Sequence, residues 1–192
     1  MEDWTLISEV IPSKLYLGSL EAAESAELLE RYKIKSVVSI IEVEPKIPGC
    51  IKSRKWLCVE DLEDTDLLSQ FDSINTFIDK TEKSVLVHCQ MGVSRSATLV
   101  IAYLIKTGMT FEEAYNHVMK VRPLIAPNNG FIQQLMHYSF KVQPKNKERT
   151  QCFLADHWLC PGLDKNDWDV KKKVGFMEQL DSVDFSFGYL LL

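Results

Sequence analysis

In the run VLVHCQMGVSRSATLV, residues 85–100, an apolar stretch ends in Cys89 and a second apolar stretch resumes after Arg95. Cysteine is a nucleophile once it is a thiolate, and arginine presents a planar fork of donors that matches two oxygens of a phosphate. Between them lies only QMGVS, residues 90–94, which must curl tightly. Gly92 supplies backbone conformations that other residues adopt only at a cost. A loop curling into a helix N-terminus turns successive N–H groups inward and makes an anion nest. Arg95 closes that nest, and the same field holds the Cys89 pKa below the free value of about 8.5. A thiolate at the floor of an oxyanion cup is placed to attack phosphorus. The expected phosphate-binding residues are Gln90, Met91, Gly92, Val93, Ser94 and Arg95. The chemistry is covalent phosphate transfer; a Walker loop would need Gly-Lys-Ser/Thr instead.

Such a cup needs a strand before it and a helix after it. SVLVH, residues 84–88, reads as the strand, and residues 94–106 as the helix. Further strands are expected at LYLG (15–18), SVVSII (36–41) and KWLCV (55–59). Ser19 can cap a helix running to about residue 32. Leu67, Phe71, Ile74 and Ile78 fall at helical spacing, so residues 67–79 form an amphipathic helix. Thr110 and Glu113 make a capping-box pattern for a helix that ends before Pro123, and residues 129–141 form the last core helix. Alternating strands and helices predict an α/β domain, a central mostly parallel β-sheet flanked by helices on both faces. The carboxyl ends of its strands hold the ligand site, and Cys89 lies at one of them.

The run HCQMGVSRS fits the HCxxGxxR(S/T) signature at every fixed position. LYLGSLEAA, LVHCQMGVSRSATLVIAYL and RPLIAPNNGFIQQL also resemble stretches of the dual-specificity protein phosphatases, in the cysteine-based tyrosine phosphatase superfamily. The resemblance covers about residues 11–142 and, with no upstream docking domain, looks like the small atypical group. It implies the cysteine-phosphatase fold, with Cys89 as nucleophile and Arg95 binding phosphate and transition state. By the same resemblance Ser96 stabilises the departing thiolate, and His88 positions and tunes the cysteine. The family's general acid is an aspartate before the helix at 67–79; Asp61 fits best, and Asp64 is the second candidate. Asn128 caps a helix and, in the family, also braces the phosphate loop. The stretch FIDKTEKSVLVHC is a few residues shorter than is usual there, which shortens a surface turn.

The implied activity is hydrolysis of phosphotyrosine and phosphoserine or phosphothreonine through a phosphocysteine. No long insertion deepens the cleft, so both substrate kinds should enter. No metal or cofactor is required, because the cup and Arg95 supply the positive field. A non-catalytic phosphoprotein-binding scaffold would usually lack the cysteine or arginine. A lipid or RNA-end phosphatase would favour lysine or arginine where Gln90 and Met91 stand.

The chain has 192 residues, 46% hydrophobic and 26% charged, with a formal charge of −5. That composition predicts a globular domain and argues against a nucleic-acid binder, which needs a basic face. No stretch approaches the ~18 apolar residues of a membrane span. The opening MEDWTLISEV has neither a signal-peptide pattern nor a myristoylation glycine. Five cysteines at irregular spacing (Cys50, Cys58, Cys89, Cys152 and Cys160) read as reduced thiols in a cytoplasmic or nuclear protein. Phosphorylated proteins are the expected partners, and the oligomeric state is open. The polar linker QPKNKER separates a catalytic domain, residues 1–143, from a linker and tail, residues 144–192, of unassigned role. In that tail Cys152, His157 and Cys160 lack the spacing of zinc pairs, and VKKKV reads as a solvated run. Cys50 or Cys58 could protect an oxidised Cys89 only if the fold brought it close.

Overall fold

The apolar runs become strands of one five-stranded sheet, ordered β1-β2-β5-β3-β4. A computed structural model describes residues 5–146. The strands are β1 (Ile7–Ile11), β2 (Leu15–Gly18), β3 (Ile34–Ile40), β4 (Ser53–Leu57) and β5 (Ser84–His88). The helices are α1 (Leu20–Glu24), α2 (Ala26–Arg31), α3 (Leu68–Lys80), α4 (Arg95–Lys106), α5 (Phe111–Val121) and α6 (Asn129–Val142). Strands β2, β5, β3 and β4 pair in parallel, and β1 pairs antiparallel with β2. The sheet is therefore mostly parallel, as the alternating pattern predicts.

Alternation of side chains sends the two faces of each strand to different helices. Tyr16, Val37 and Leu86 pack with Ala22, Ala23, Leu28 and Leu29 of α1 and α2. The opposite face carries α4, which contacts β2, β3 and β5 and in turn packs against α3, α5 and α6. Every residue of α4 from Arg95 to Ile105 is buried, which explains a helix apolar all round.

Local chemistry sets the boundaries that differ from expectation. The helix expected from Ser19 to about residue 32 is two, because Ser25 ends α1 in an extended conformation and its hydroxyl caps Leu28 N–H of α2. Serine and its hydroxyl stop one helix and start the next. Strand β1 went unpredicted; its Glu9 carboxylate accepts from Tyr16 Oη and Ser13 N–H, closing the hairpin with β2. Strand β4 lies two residues earlier than KWLCV, since the chain leaves the sheet after Leu57. The Val59 carbonyl is then given to Arg95 rather than to a neighbouring strand. The Thr110–Glu113 capping box forms with both reciprocal bonds.

Cys50 and Cys58 are exposed free thiols and Cys89 is buried. Strand β3 stands between β4 and β5, so Cys58 and Cys89 leave strands two spacings apart, about 9–10 Å. A disulfide needs Cα atoms within about 7 Å. Cys152, His157, Cys160 and the VKKKV run lie outside the described residues. Among the described residues no group of three or more metal-ligating side chains gathers, and no helix is long and apolar enough to cross a membrane.

Candidate active site

Because β2, β3, β4 and β5 run parallel, the segments after them converge on one sheet edge. Cys89 leaves β5 there, 2% exposed, and Arg95 opens α4. What shapes the loop between them is the fate of its carbonyls. Gln90 O accepts from Leu20 N–H, and Val93 O from Ala126 N–H. Met91 O and Gly92 O accept from the Arg122 guanidinium, each within 3.0 Å. Ser94 O accepts from the backbone and hydroxyl of Thr98. With every carbonyl from 90 to 94 held by a donor outside the loop, its N–H groups turn inward. The nest follows from that accounting. Gly92, at φ +68°, makes the turn, and a Cβ there would lie 2.5 Å from Gly18 O.

The thiol at the floor is under opposing influences. Burial pushes the Cys89 pKa up, but the Ser96 hydroxyl and the N–H groups of Ser96, Val93 and Gly92 outweigh it, and the net shift is downward. Ser96 Oγ donates to Cys89 Sγ at 3.2 Å. His88 is buried, and desolvation takes its pKa down to about 4, so the ring is neutral at pH 7. Its Nδ1 faces Cys89 O at 3.2 Å and its Nε2 faces Ser39 Oγ at 2.7 Å. The tautomer protonated on Nδ1 satisfies both, holding the Cys89 carbonyl as the other donors hold those beyond it.

Arg95 is 5% exposed. Its Nη1 donates to Val59 O at 2.9 Å and pairs with Glu42 Oε2 at 2.7 Å. Its buried Nε has no hydrogen-bond partner and lies 3.5 Å from Asp61 Oδ2. One edge of the guanidinium is thus fixed, and the Nε side keeps a donor to offer an oxyanion. The Arg95 bond holds the Glu42 carboxyl below its ordinary range.

Asp61 Oδ1 accepts from Ser94 Oγ at 2.7 Å and from Asn128 Nδ2 at 2.9 Å. With Oδ1 occupied by two donors, Oδ2 is the oxygen left without a hydrogen bond, 3.5 Å from Arg95 Nε. Asn128 also caps α6 through Phe131 N–H. Asp64 is exposed, and its neighbour Glu63 points elsewhere, accepting from Asn129 Nδ2. The structure therefore brings together Cys89, Ser96, Arg95, Asp61 and the 90–94 loop, with His88 behind it.

Sequence reasoning missed three contributors. Glu42 stands in an unremarkable acidic segment. Arg122 reads as the end of a helix before Pro123, yet it is fully buried and also donates to Ser8 Oγ and Thr5 O. Gln134 of α6 caps α3 from outside, its Oε1 accepting from Leu67 and Leu68 N–H while Nε2 donates to Thr65 O. An arginine before a proline is the one signal the sequence offers, and it carries no address.

The profile described as "Dual specificity phosphatase, catalytic domain" matches residues 15–141, most of the chain. The chain belongs to the dual specificity phosphatase family. Dual specificity protein phosphatase 1 of Arabidopsis thaliana is 39% identical over 142 residues, which cover 71% of this chain and 71% of that protein. The crystal structure of human DUSP28 superposes with a TM-score of 0.66 at 30% identity, covering 71% of this chain and 95% of that one. The human tyrosine phosphatase-like serine/threonine/tyrosine-interacting protein gives 0.65 at 29%, covering 70% and 95%. In most of the curated relatives the chain spans less than two thirds of their length, from 16% upward. Dual specificity phosphatases thus share this chain's domain in proteins of very different size.

Proposed function

We propose that this protein is a dual-specificity protein phosphatase that cleaves phosphotyrosine and phosphoserine or phosphothreonine through a phosphocysteine. The single observation that carries the reading is the Cys89 thiol held below its ordinary pKa by the N–H groups of Gly92, Val93 and Ser96, in the loop that Arg95 closes. The phosphate oxygens take the N–H groups and the free edge of Arg95. Cys89 Sγ attacks phosphorus in line, forming the S–P bond as the ester P–O bond breaks. The proton on Asp61 Oδ2 passes to the leaving oxygen, so serine, threonine or tyrosine departs as a neutral hydroxyl. Asp61, now ionised, takes a proton from water as that water attacks phosphorus. The S–P bond breaks, and Ser96 Oγ donates to the departing thiolate. Phosphate leaves with the nucleophile restored.

The first test is Cys89→Ser, which should lose at least 10³-fold in turnover, about 4 kcal/mol of barrier, while still binding phosphopeptide. Activity within about tenfold of wild type would sink the covalent route. The scaffold alternative is disfavoured by the presence of both Cys89 and Arg95. Residues 1–143 form the catalytic domain in this reading, supported by Met1–Asn146 clustering as one compact unit. The thiol chemistry fits a reducing cytoplasmic or nuclear setting.

A further inference from the structure

Six large apolar side chains are exposed among the described residues, and three of them neighbour the cup in sequence. Val43 follows Glu42, whose carboxylate holds Arg95; Leu62 follows Asp61; Met91 lies in the phosphate loop itself. The segments carrying Val43 and Leu62 leave the carboxyl ends of β3 and β4, at the edge where Cys89 leaves β5. These three exposed apolar side chains are carried on segments that flank the site. Its setting is acidic. Glu42, Glu44, Glu60, Glu63, Asp64 and Asp66 are all exposed in residues 42–44 and 58–66. Those two segments and residues 89–94 contain no lysine or arginine. The cationic side chain of the cup is Arg95, buried, its Nε making no hydrogen bond and so keeping a donor for one phosphate.

A single phosphate is therefore bound deep in a positive nest, while whatever surrounds it meets a negative rim. A second phosphate or an acidic flank would face the carboxylates of these segments, which carry no cation of their own. Lysine or arginine flanks would meet complementary charge and lay their alkyl stems on the apolar side chains. We propose that the substrate class of this site is a singly phosphorylated protein segment flanked by basic and apolar residues, docked over Val43, Leu62 and Met91. This rests on the phosphatase reading above and narrows it.

The test is a ladder of phosphotyrosine peptides on one scaffold, flanked by lysine, serine or glutamate, together with a doubly phosphorylated member. With the full chain in about 20 mM salt, kcat/KM should favour lysine over glutamate flanks by about tenfold or more. The ratio should shrink to about twofold at about 0.5 M salt, where the Debye length is only a few ångströms. A flat ladder, or a preference for glutamate flanks or the second phosphate, overturns the proposal. Glu60→Lys combined with Asp64→Lys should erase the preference while leaving turnover of p-nitrophenyl phosphate intact; an unchanged ladder in that variant also overturns it. Absence of turnover on p-nitrophenyl phosphate by the wild-type chain would instead refute the phosphatase reading. The same ladder built with phosphonate side chains and read as binding affinity then decides the charge preference by itself.

Discussion

Asp61 and Asp64 stand three residues apart in one acidic run, and only the first touches the cup. A general acid contributes about 10²–10⁴-fold, equivalent to roughly 3–5 kcal/mol. That help is needed only when the leaving oxygen is basic. Asp61→Asn should therefore slow phosphotyrosine and alkyl phosphates strongly and spare an aryl phosphate whose leaving group is a stable anion. Asp64→Asn should leave both rates unchanged. Steady-state kinetics across leaving groups checks this, and exchanged behaviours would reassign the acid. Arg122 makes a second case at this scale. Its fork holds two carbonyls of the phosphate loop as well as Thr5 O and Ser8 Oγ. Lysine keeps the charge but cannot reach all four acceptors. Each buried carbonyl left unpaired costs about 1–3 kcal/mol. Arg122→Lys should lower the melting temperature and weaken vanadate inhibition together, and a variant with wild-type values in both would show that the loop holds its own shape.

At the scale of elements, the loop that carries Asp61 is fastened at several points to α6 and its N-cap. Asn128 holds Asp61, Asn129 holds the Glu63 carboxylate, and Gln134 spans Thr65, Leu67 and Leu68. Gly130 permits that approach, since a Cβ there would lie 1.8 Å from Glu63 O. Backbone cannot yield to such an overlap, so Gly130→Ala must push the acid loop off α6. Displacing a reacting group by about 1 Å can cost about 10²-fold. The variant should lose about that much on phosphotyrosine and little on substrates with acidic leaving groups. Vanadate affinity, which reads the cup alone, should hold. Equal losses on both substrate kinds would mean that the loop's displacement disturbs Cys89 as well.

For the whole molecule, the buried ring of His88 couples folding to pH. Its folded pKa is depressed to about 4 from an ordinary 6.5. Between those values the unfolded chain binds the proton and the folded chain does not, so stability rises with pH there. The His88 contribution is complete above about pH 6.5 and is lost as pH falls toward 4. A shift of this size corresponds to at most about 3 kcal/mol. Denaturant midpoints should fall through that window, and NMR titration of the His88 ring should find its midpoint well below 6. A ring titrating near 6.5 would remove this coupling.

The sequence by itself determined the position of the candidate nucleophile, the cup and the alternation of layers, because each is written in contiguous residues. Cys89, Gly92, Arg95 and Ser96 lie within one turn-and-helix unit, whose geometry follows from local sterics and from the helix N-terminus. Strand and helix periods likewise need only neighbours, so β2, β5, α3 and α6 were legible to within a residue or two. The acid loop was placed only as far as Asp61 before Asp64, since no local rule says which carboxylate turns inward. Tertiary structure decided what closes over that unit. Glu42 comes from the end of β3, Asp61 from beyond β4, Arg122 from the end of α5, and Asn128 and Gln134 from α6. Their partners lie 30 or more residues away in the chain. Such pairings depend on which strand ends share an edge and which helix crosses them. Those are properties of the packed sheet, not of any segment of it.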